Sequence, residues 1–359
     1  MPIHWLGWSP LPAVTQQGLC AVWGRNKKVS LFWIENKRIR ELVVGRDHQV
    51  SASGPAIAGA PRTEHPVAAS TLSNVFARDA FGRIVMLASP AWIEVPGGGV
   101  TPDAPNALRL FNHTVLFVRG MDDDVWFNLR NGDLEGGAGE QDWSGWNPIP
   151  GGGRTRRAVT SMFDANGKIH VFAVGLDDTA YGTTGRLIDE GGRPTIDWSG
   201  AWFEVPSPLM HLPMSAASRI PAESFDALGH PQYPHANDGY LVATNPEGKL
   251  IYKVFAFRDP RIVHPGPEPR IVHPPQPRIV HPPRPRQVHP PGAWVEWKEI
   301  PAEFALGDFI TDAAPAAVLT YRDFVPGDFT IVTPFDMLCV FAKLAADGSV
   351  WMNRATILP

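Results

Sequence analysis

The chain has 359 residues, 36 acidic side chains against 32 basic ones, a formal net charge of -4 and only 19% charged residues. Without clustered positive charge there is no electrostatic basis for nucleic acid or an anionic membrane surface as partner, and no apolar run reaches membrane-spanning length, so no membrane insertion is expected. With 34 Gly, 37 Pro, 13 Trp and 18 Phe, turns are plentiful and aromatic surface is large, the profile of an all-β chain of many short strands.

The opening Met1-Pro-Ile-His-Trp-Leu-Gly-Trp-Ser-Pro10 lacks a basic segment followed by an apolar one. No signal peptide is expected, and the protein is expected in the cytoplasm or exported by a non-classical route. Trp8-Ser-Pro-Leu-Pro12 begins a first unit, followed by a small-residue strand, Leu19-Cys-Ala-Val-Trp23, and an apolar hairpin running from Val29-Ser-Leu-Phe-Trp33 through an Asn-Lys turn to Ile39. A second unit starts near Pro55, with Val67-Ala-Ala-Ser70 and a hairpin from Asn74-Val-Phe-Ala77 through Phe-Gly to Met86.

The third and fourth units carry the clearest repeat. Trp92-Ile-Glu-Val-Pro-Gly-Gly-Gly-Val-Thr101 matches Trp146-Asn-Pro-Ile-Pro-Gly-Gly-Gly-Arg-Thr155 at Trp, Pro, all three Gly and Thr. Downstream, Val115-Leu-Phe-Val-Arg-Gly-Met-Asp-Asp-Asp-Val-Trp126 matches Val171-Phe-Ala-Val-Gly-Leu-Asp-Asp-Thr-Ala-Tyr181 after a one-residue slip. A fifth unit starts near Trp202-Phe-Glu-Val-Pro206, with Met214-Ser-Ala-Ala-Ser218 and a hairpin from Tyr240-Leu-Val-Ala243 to Tyr252. A sixth starts near Trp297-Lys-Glu-Ile-Pro301, with Ala316-Ala-Val-Leu-Thr320 and a hairpin from Leu338-Cys-Val-Phe-Ala342 to Trp351.

Each unit offers about four strands and no helical period. Small residues on the first strand suit the crowded centre of a ring, and the end units are as apolar as the middle ones, so the expected fold is a closed β-propeller of four-stranded blades rather than a capped solenoid. Six copies are visible, and the long interval from Trp202 to Trp297 leaves room for a hidden seventh. Residues 1–359 are expected to form one domain.

Residues 259–291 interrupt it with Arg261-Ile-Val-His-Pro, Arg270-Ile-Val-His-Pro-Pro, Arg278-Ile-Val-His-Pro-Pro and Arg286-Gln-Val-His-Pro-Pro. Proline removes donors and fixes φ, so this tract reads as an extended, flexible insertion, or as a docking peptide for a protein partner. Its four histidines recur about 25 Å apart along a polyproline-type segment at roughly 3.1 Å per residue, too far apart to share a metal without folding back. Cys20 and Cys339 cannot make a disulfide framework and read as buried thiols, with one ring-stapling bond as the alternative.

Aromatic residues recur at equivalent places: Trp8, Trp92, Trp146, Trp202 and Trp297 at strand ends, and Trp126, Tyr181, Tyr252 and Trp351 at hairpin ends. A flat apolar face with one polar tip suits the CH-rich face of a pyranose ring, although blade-to-blade packing also demands such rings. The glycines at 97–99 and 151–153 lack the Lys-Ser/Thr of a phosphate loop and read as turns needing positive φ. Asp122-Asp-Asp124 and Asp177-Asp178 lack calcium-loop spacing and read as solvated turns, and Arg154, Arg156 and Arg157 as a solvated rim. No nucleophile elbow, zinc-protease motif or CxxC pair occurs, so no enzyme, cofactor or metal is expected. Glu94, Glu204 and Glu299 keep a propeller glycosidase as an alternative.

The pattern Trp-x-x-Ile/Val-Pro-Gly-Gly-Gly-x-Thr, followed by an apolar strand and a terminal Trp or Tyr, resembles the repeat of bacterial Photorhabdus-type β-propeller lectins, best over residues 92–181. The resemblance implies a seven-bladed ring and metal-independent, multivalent binding of fucose- or mannose-like monosaccharide units of glycans. It points to Trp92, Trp126, Trp146, Tyr181 and Trp351 as stacking residues and to Thr101 and Thr155 as hydrogen-bonding ones. A protein-interaction propeller acting through its Pro-rich tract is the alternative, and oligomerisation stays open.

Overall fold

The computed structural model describes residues 3–23, 28–45, 50, 56–71, 74–88, 91–110, 113–132, 142–164, 168–191, 193–218, 238–256, 293–294, 296–302, 309–321 and 336–357. The Pro-rich tract at 259–291 lies outside them. Among the described residues there is no α-helix, and the strands form six separate antiparallel sheets arranged as a six-bladed β-propeller.

The chain begins with β1 (Ile3–Val14). Blade 1 is β2 (Cys20–Trp23), β3 (Val29–Glu35) and β4 (Arg38–Val44), with Ala56 bridging to Arg40 where a fourth strand would lie. Blade 2 is β5 (Ala68–Thr71), β6 (Asn74–Arg78), β7 (Ile84–Ala88) and β8 (Ala91–Glu94), and blade 3 is β9 (Asn106–Leu110), β10 (His113–Arg119), β11 (Val125–Arg130) and β12 (Asn147–Pro148). Blade 4 contains β13 (Thr160–Phe163), β14 (Lys168–Val174), a long β15 (Ala180–Glu190), β16 (Arg193–Trp198) and β17 (Phe203–Glu204), the last two both pairing with β15. Blade 5 contains β18 (Ser215–Ala217), β19 (Asp238–Thr244), β20 (Leu250–Ala256), β21 (Ala293–Trp294) and β22 (Lys298–Glu299). Blade 6 is β23 (Ala316–Tyr321), β24 (Asp336–Lys343) and β25 (Ser349–Ile357), completed on its outer edge by β1, which runs antiparallel to β25 from Ile3↔Ile357 to Val14↔Ser349.

Among the described residues there is no seventh blade of the kind the family resemblance allowed. Ring closure is direct: the inner strands neighbour one another in the cyclic order β2, β5, β9, β13, β18, β23 and back to β2. Each repeat's Trp motif forms the outermost strand of one blade and leads into the inner strand of the next. The sequence units are therefore displaced by one strand from the structural blades.

The second strand of each blade explains the hydrophobic pattern. It has neighbouring blades on both faces, so it reads as a nearly continuous apolar run, while its alternation sends successive side chains to opposite interfaces. In β3, Val29, Leu31 and Trp33 enter the core between blades 6 and 1, whereas Phe32 and Ile34 enter the core between blades 1 and 2. In β14, Ile169, Val171 and Ala173 face blade 3, and Phe172 and Val174 face blade 5. The six core clusters are the six blade interfaces. Phe32, Phe76, Phe117, Phe172 and Phe341 occupy one level of this pattern and are almost wholly buried. Blade 5 has Val242 at that level, and its interface with blade 6 is filled by Trp8 stacked on Phe309 at 4.2 Å and by Tyr252.

One linker device recurs. The residue ahead of each inner strand donates its N–H to the carbonyl of a left-handed hairpin residue of the preceding blade: Thr15 to Gly348, Thr63 to Lys37, Thr101 to Gly82, Thr155 to Asp123, Met210 to Asp178 and Thr311 to Gly248, all at 2.7–3.1 Å. In the five threonines the hydroxyl also accepts the N–H two residues on, forming a compact turn. Cys20 and Cys339 are free, and burial pushes the Cys339 thiol up to about 12.

Candidate functional site

The hairpin between the second and third strands sets the aromatic positions. Asp123 (φ 68°), Asp178 (φ 61°) and Gly348 (φ 74°) turn the chain, and the residue three places on is Trp126, Tyr181 and Trp351 respectively. These stand opposite Pro148, Glu204 and Pro10 of the outermost strands. All three rings are half-buried. In blades 2 and 5 the same position holds Val85, opposite Glu94, and Ile251, opposite Glu299. Tyr252, expected at a hairpin end, stands one place further along, which reverses its face. It is 7% exposed and meets Trp5 edge to face at 5.4 Å.

The polar edge of each hairpin-end ring is fixed by an aspartate four residues earlier. Trp126 Nε1 donates to Asp122 Oδ1 at 3.2 Å, and Tyr181 OH donates to Asp177 Oδ2 at 2.9 Å. Trp351 Nε1 donates to Ser349 Oγ at 2.8 Å, which in turn donates to Asp347 at 2.6 Å. The Tyr181 hydroxyl, with a backbone N–H, holds the Asp177 carboxyl below its ordinary range, and the same bond raises the tyrosine. Gly120 and Gly175 underlie the rings, and a Cβ on either would collide with Trp126 or Tyr181. The acid–aromatic spacing is a sequence signal, Asp-x-x-x-Trp/Tyr in three copies, that reading the aspartates as solvated turns passed over.

The second set of aromatics locks blades together. Trp146 lies against Gly97 and Gly99, and Trp202 against Gly151 and Gly153, in the linker leaving the preceding blade. A Cβ on Gly99 or Gly153 would overlap the indole. The turn glycines have positive φ, 98° at Gly97 and 97° at Gly151, as their sequence implied. Trp92 approaches Gly59 in the same way, while Trp8 donates to the Pro301 carbonyl at 3.1 Å and Trp297 to that of Pro206 at 2.8 Å.

On three blades the Trp of the outermost strand stands two positions before the residue opposite the hairpin-end ring, Trp146 by Trp126, Trp202 by Tyr181 and Trp8 by Trp351, and Trp8 is itself buried in the core between blades 5 and 6. Two residues beyond each hairpin-end ring stands a wholly buried polar group, Asn128, Thr183 or Asn353. Asn128 Nδ2 donates to the Pro96 carbonyl at 3.1 Å and Thr183 Oγ1 to that of Ala201 at 2.9 Å. Trp92 lacks a hairpin-end aromatic partner in blade 2. Thr101 and Thr155 are fully buried in the linkers, with their hydroxyls committed to the turns described above.

The charged sequence features are dispersed. Arg119 pairs with Asp123 at 3.0 Å, and Arg154 lies 3.8 Å from Asp124 and donates to the Asp122 carbonyl at 2.9 Å. Arg157 turns to the ring axis. Glu94, Glu204 and Glu299 occupy one equivalent position on three different blades, the first beside Arg83 at 3.4 Å and the last beside Lys249 at 3.7 Å.

No protein-family model matches the chain, and no curated protein matches it. Solved structures share its fold. AofleA from Arthrobotrys oligospora superposes with a TM-score of 0.54 at 10% identity over 99% of this chain and 86% of that one. A mutant of the Aleuria aurantia lectin AAL, in complex with Fucα1-6GlcNAc, superposes with a TM-score of 0.52 at 11% identity over 97% of this chain and 96% of that one.

Proposed function

We propose that this protein is a multivalent, metal-independent carbohydrate-binding propeller, a lectin, that recognises fucose- or mannose-like units of glycans. The observation that carries the proposal is the half-buried hairpin-end ring on blades 3, 4 and 6, whose polar rim an aspartate four residues earlier fixes. Trp126, Tyr181 and Trp351 serve as stacking faces, Trp146 supports the edge of blade 3, and Trp92 offers a separate face on blade 2. Thr101 and Thr155 act through the linkers that hold those edges in register.

An aromatic face removes the CH side of a sugar from water, while the fixed acid offers an acceptor for its hydroxyls. A preset ring costs little additional ordering on binding. Individually weak sites on one rigid ring gain avidity on a glycan-covered surface. The lectin AAL, whose ligand contains fucose, supports a fucose unit as the first ligand to test.

A broad glycan array probed with the wild type and a Trp126→Ala, Tyr181→Ala variant tests the proposal. Selective binding reduced at least about tenfold in the folded variant is the expected result. Absence of glycan binding by folded wild-type protein would overturn it.

A further inference from the structure

The ring encloses a second feature, independent of the aromatic edges. A cavity of about 330 Å³ lies on the axis at the end where the blade linkers meet the inner strands, and all six linkers contribute to its wall. In each linker, the residue two places after the threonine position lines this space: Gln17, His65, Asp103, Arg157, Leu212 and Ala313. The ring of six is divided. Gln17, His65, Asp103 and Arg157 form a continuous polar arc, and Leu212 and Ala313 form an apolar one.

Within the polar arc the acid is already engaged. Asp103 Oδ1 lies 3.7 Å from His65 Nδ1 and accepts the N–H of Ala104 at 2.8 Å. Arg157 is different: its Nε is enclosed, and its guanidinium has no hydrogen-bond or ion-pair partner among the described residues. Arg157 is half-buried, so only part of its guanidinium is withdrawn from water, and the buried Nε–H has no acceptor to replace that water. Its planar donor array matches a carboxylate, which it can hold with two parallel hydrogen bonds.

We propose that the axial cavity binds a small organic carboxylate. Arg157 holds the carboxylate, Gln17 and His65 meet polar substituents, and Leu212 with Ala313 covers an apolar body. The nearby Asp103 disfavours a ligand of higher negative charge, and the apolar arc disfavours a bare inorganic anion.

Calorimetric titration of the full chain with benzoate and 4-hydroxybenzoate, beside benzamide and 4-hydroxybenzamide, tests this at low ionic strength. Both acids should bind at least about tenfold more tightly than their amides. Arg157→Gln should bring the acids to the level of the amides while the thermal midpoint stays within a few degrees of wild type. Equal binding of acids and amides by the wild type, or absence of binding by either acid, would overturn the proposal without reference to any variant. Undiminished acid binding by folded Arg157→Gln protein would overturn it as well. A sugar-binding defect would leave all of these outcomes unchanged, so the two proposals fail separately.

Discussion

The acid–aromatic pairs make testable claims about single residues. The Tyr181 hydroxyl stabilises ionised Asp177, so the folded carboxyl titrates below its ordinary value of about 3.9. The contribution to stability is present above the unfolded value and is lost as pH falls through the lowered folded one. Replacing Tyr181 with Phe should move the Asp177 titration, followed by carboxyl-carbon NMR, back up toward that ordinary value. An unmoved titration would show that the bond does not form in solution. His170 behaves oppositely. It is wholly buried, and burial lowers its pKa despite the bond to Asp164 at 3.2 Å. The unfolded chain therefore takes up the proton first, and stability falls as pH drops below about 6.5 until the folded value is passed. Thermal midpoints measured from pH 8 to 5 should fall less in His170→Gln than in wild type. The recurrence of Trp and Tyr was legible in the residues themselves. Which threonines would be buried was not, because a side chain that closes a turn and one that meets a ligand have the same identity.

Linkers and middle strands carry the strongest expectations at the scale of elements. Gly153→Ala places a methyl where the Trp202 indole lies, so it should destabilise by about 1–3 kcal/mol, the usual cost of overpacking, and alter the tryptophan near-ultraviolet signal. A spectrum and stability like wild type would refute that contact. Phe172→Ala empties one of the interface positions that recur at one level around the ring, 0% exposed, and should cost about 3–5 kcal/mol in denaturant unfolding. Small residues located β2, β5, β13, β18 and β23 in the sequence, whereas β9, Asn106-Ala-Leu-Arg-Leu110, escaped because its larger side chains break that rule. Tyr252 illustrates the other limit. Its hairpin has the same length as those of blades 3 and 4, but the ring stands one residue further along β20, which turns it from the outer edge to the core.

For the molecule as a whole, ring closure depends on β1 pairing with β25 across the two chain ends. Removing residues 3–14 strips the outer strand from blade 6 and takes Trp8 from the interface with blade 5. The truncated chain should lose cooperative unfolding and expose apolar surface to a hydrophobic dye, while a stable, cooperatively folded product would show that closure is dispensable. Six units were countable in the sequence because the Trp motif punctuates five of them and the hairpin between Pro55 and Trp92 reveals the sixth. Blade boundaries were not, because the motif belongs to the outer strand of one blade and the linker to the next.

The sharpest test is a crystal of this protein soaked in methyl α-L-fucoside. Sugar density is expected against Trp126, Tyr181 or Trp351, with a hydroxyl near Asp122, Asp177 or Asp347. Sugar bound only away from these edges, or no bound sugar at saturating concentration, would contradict this expectation.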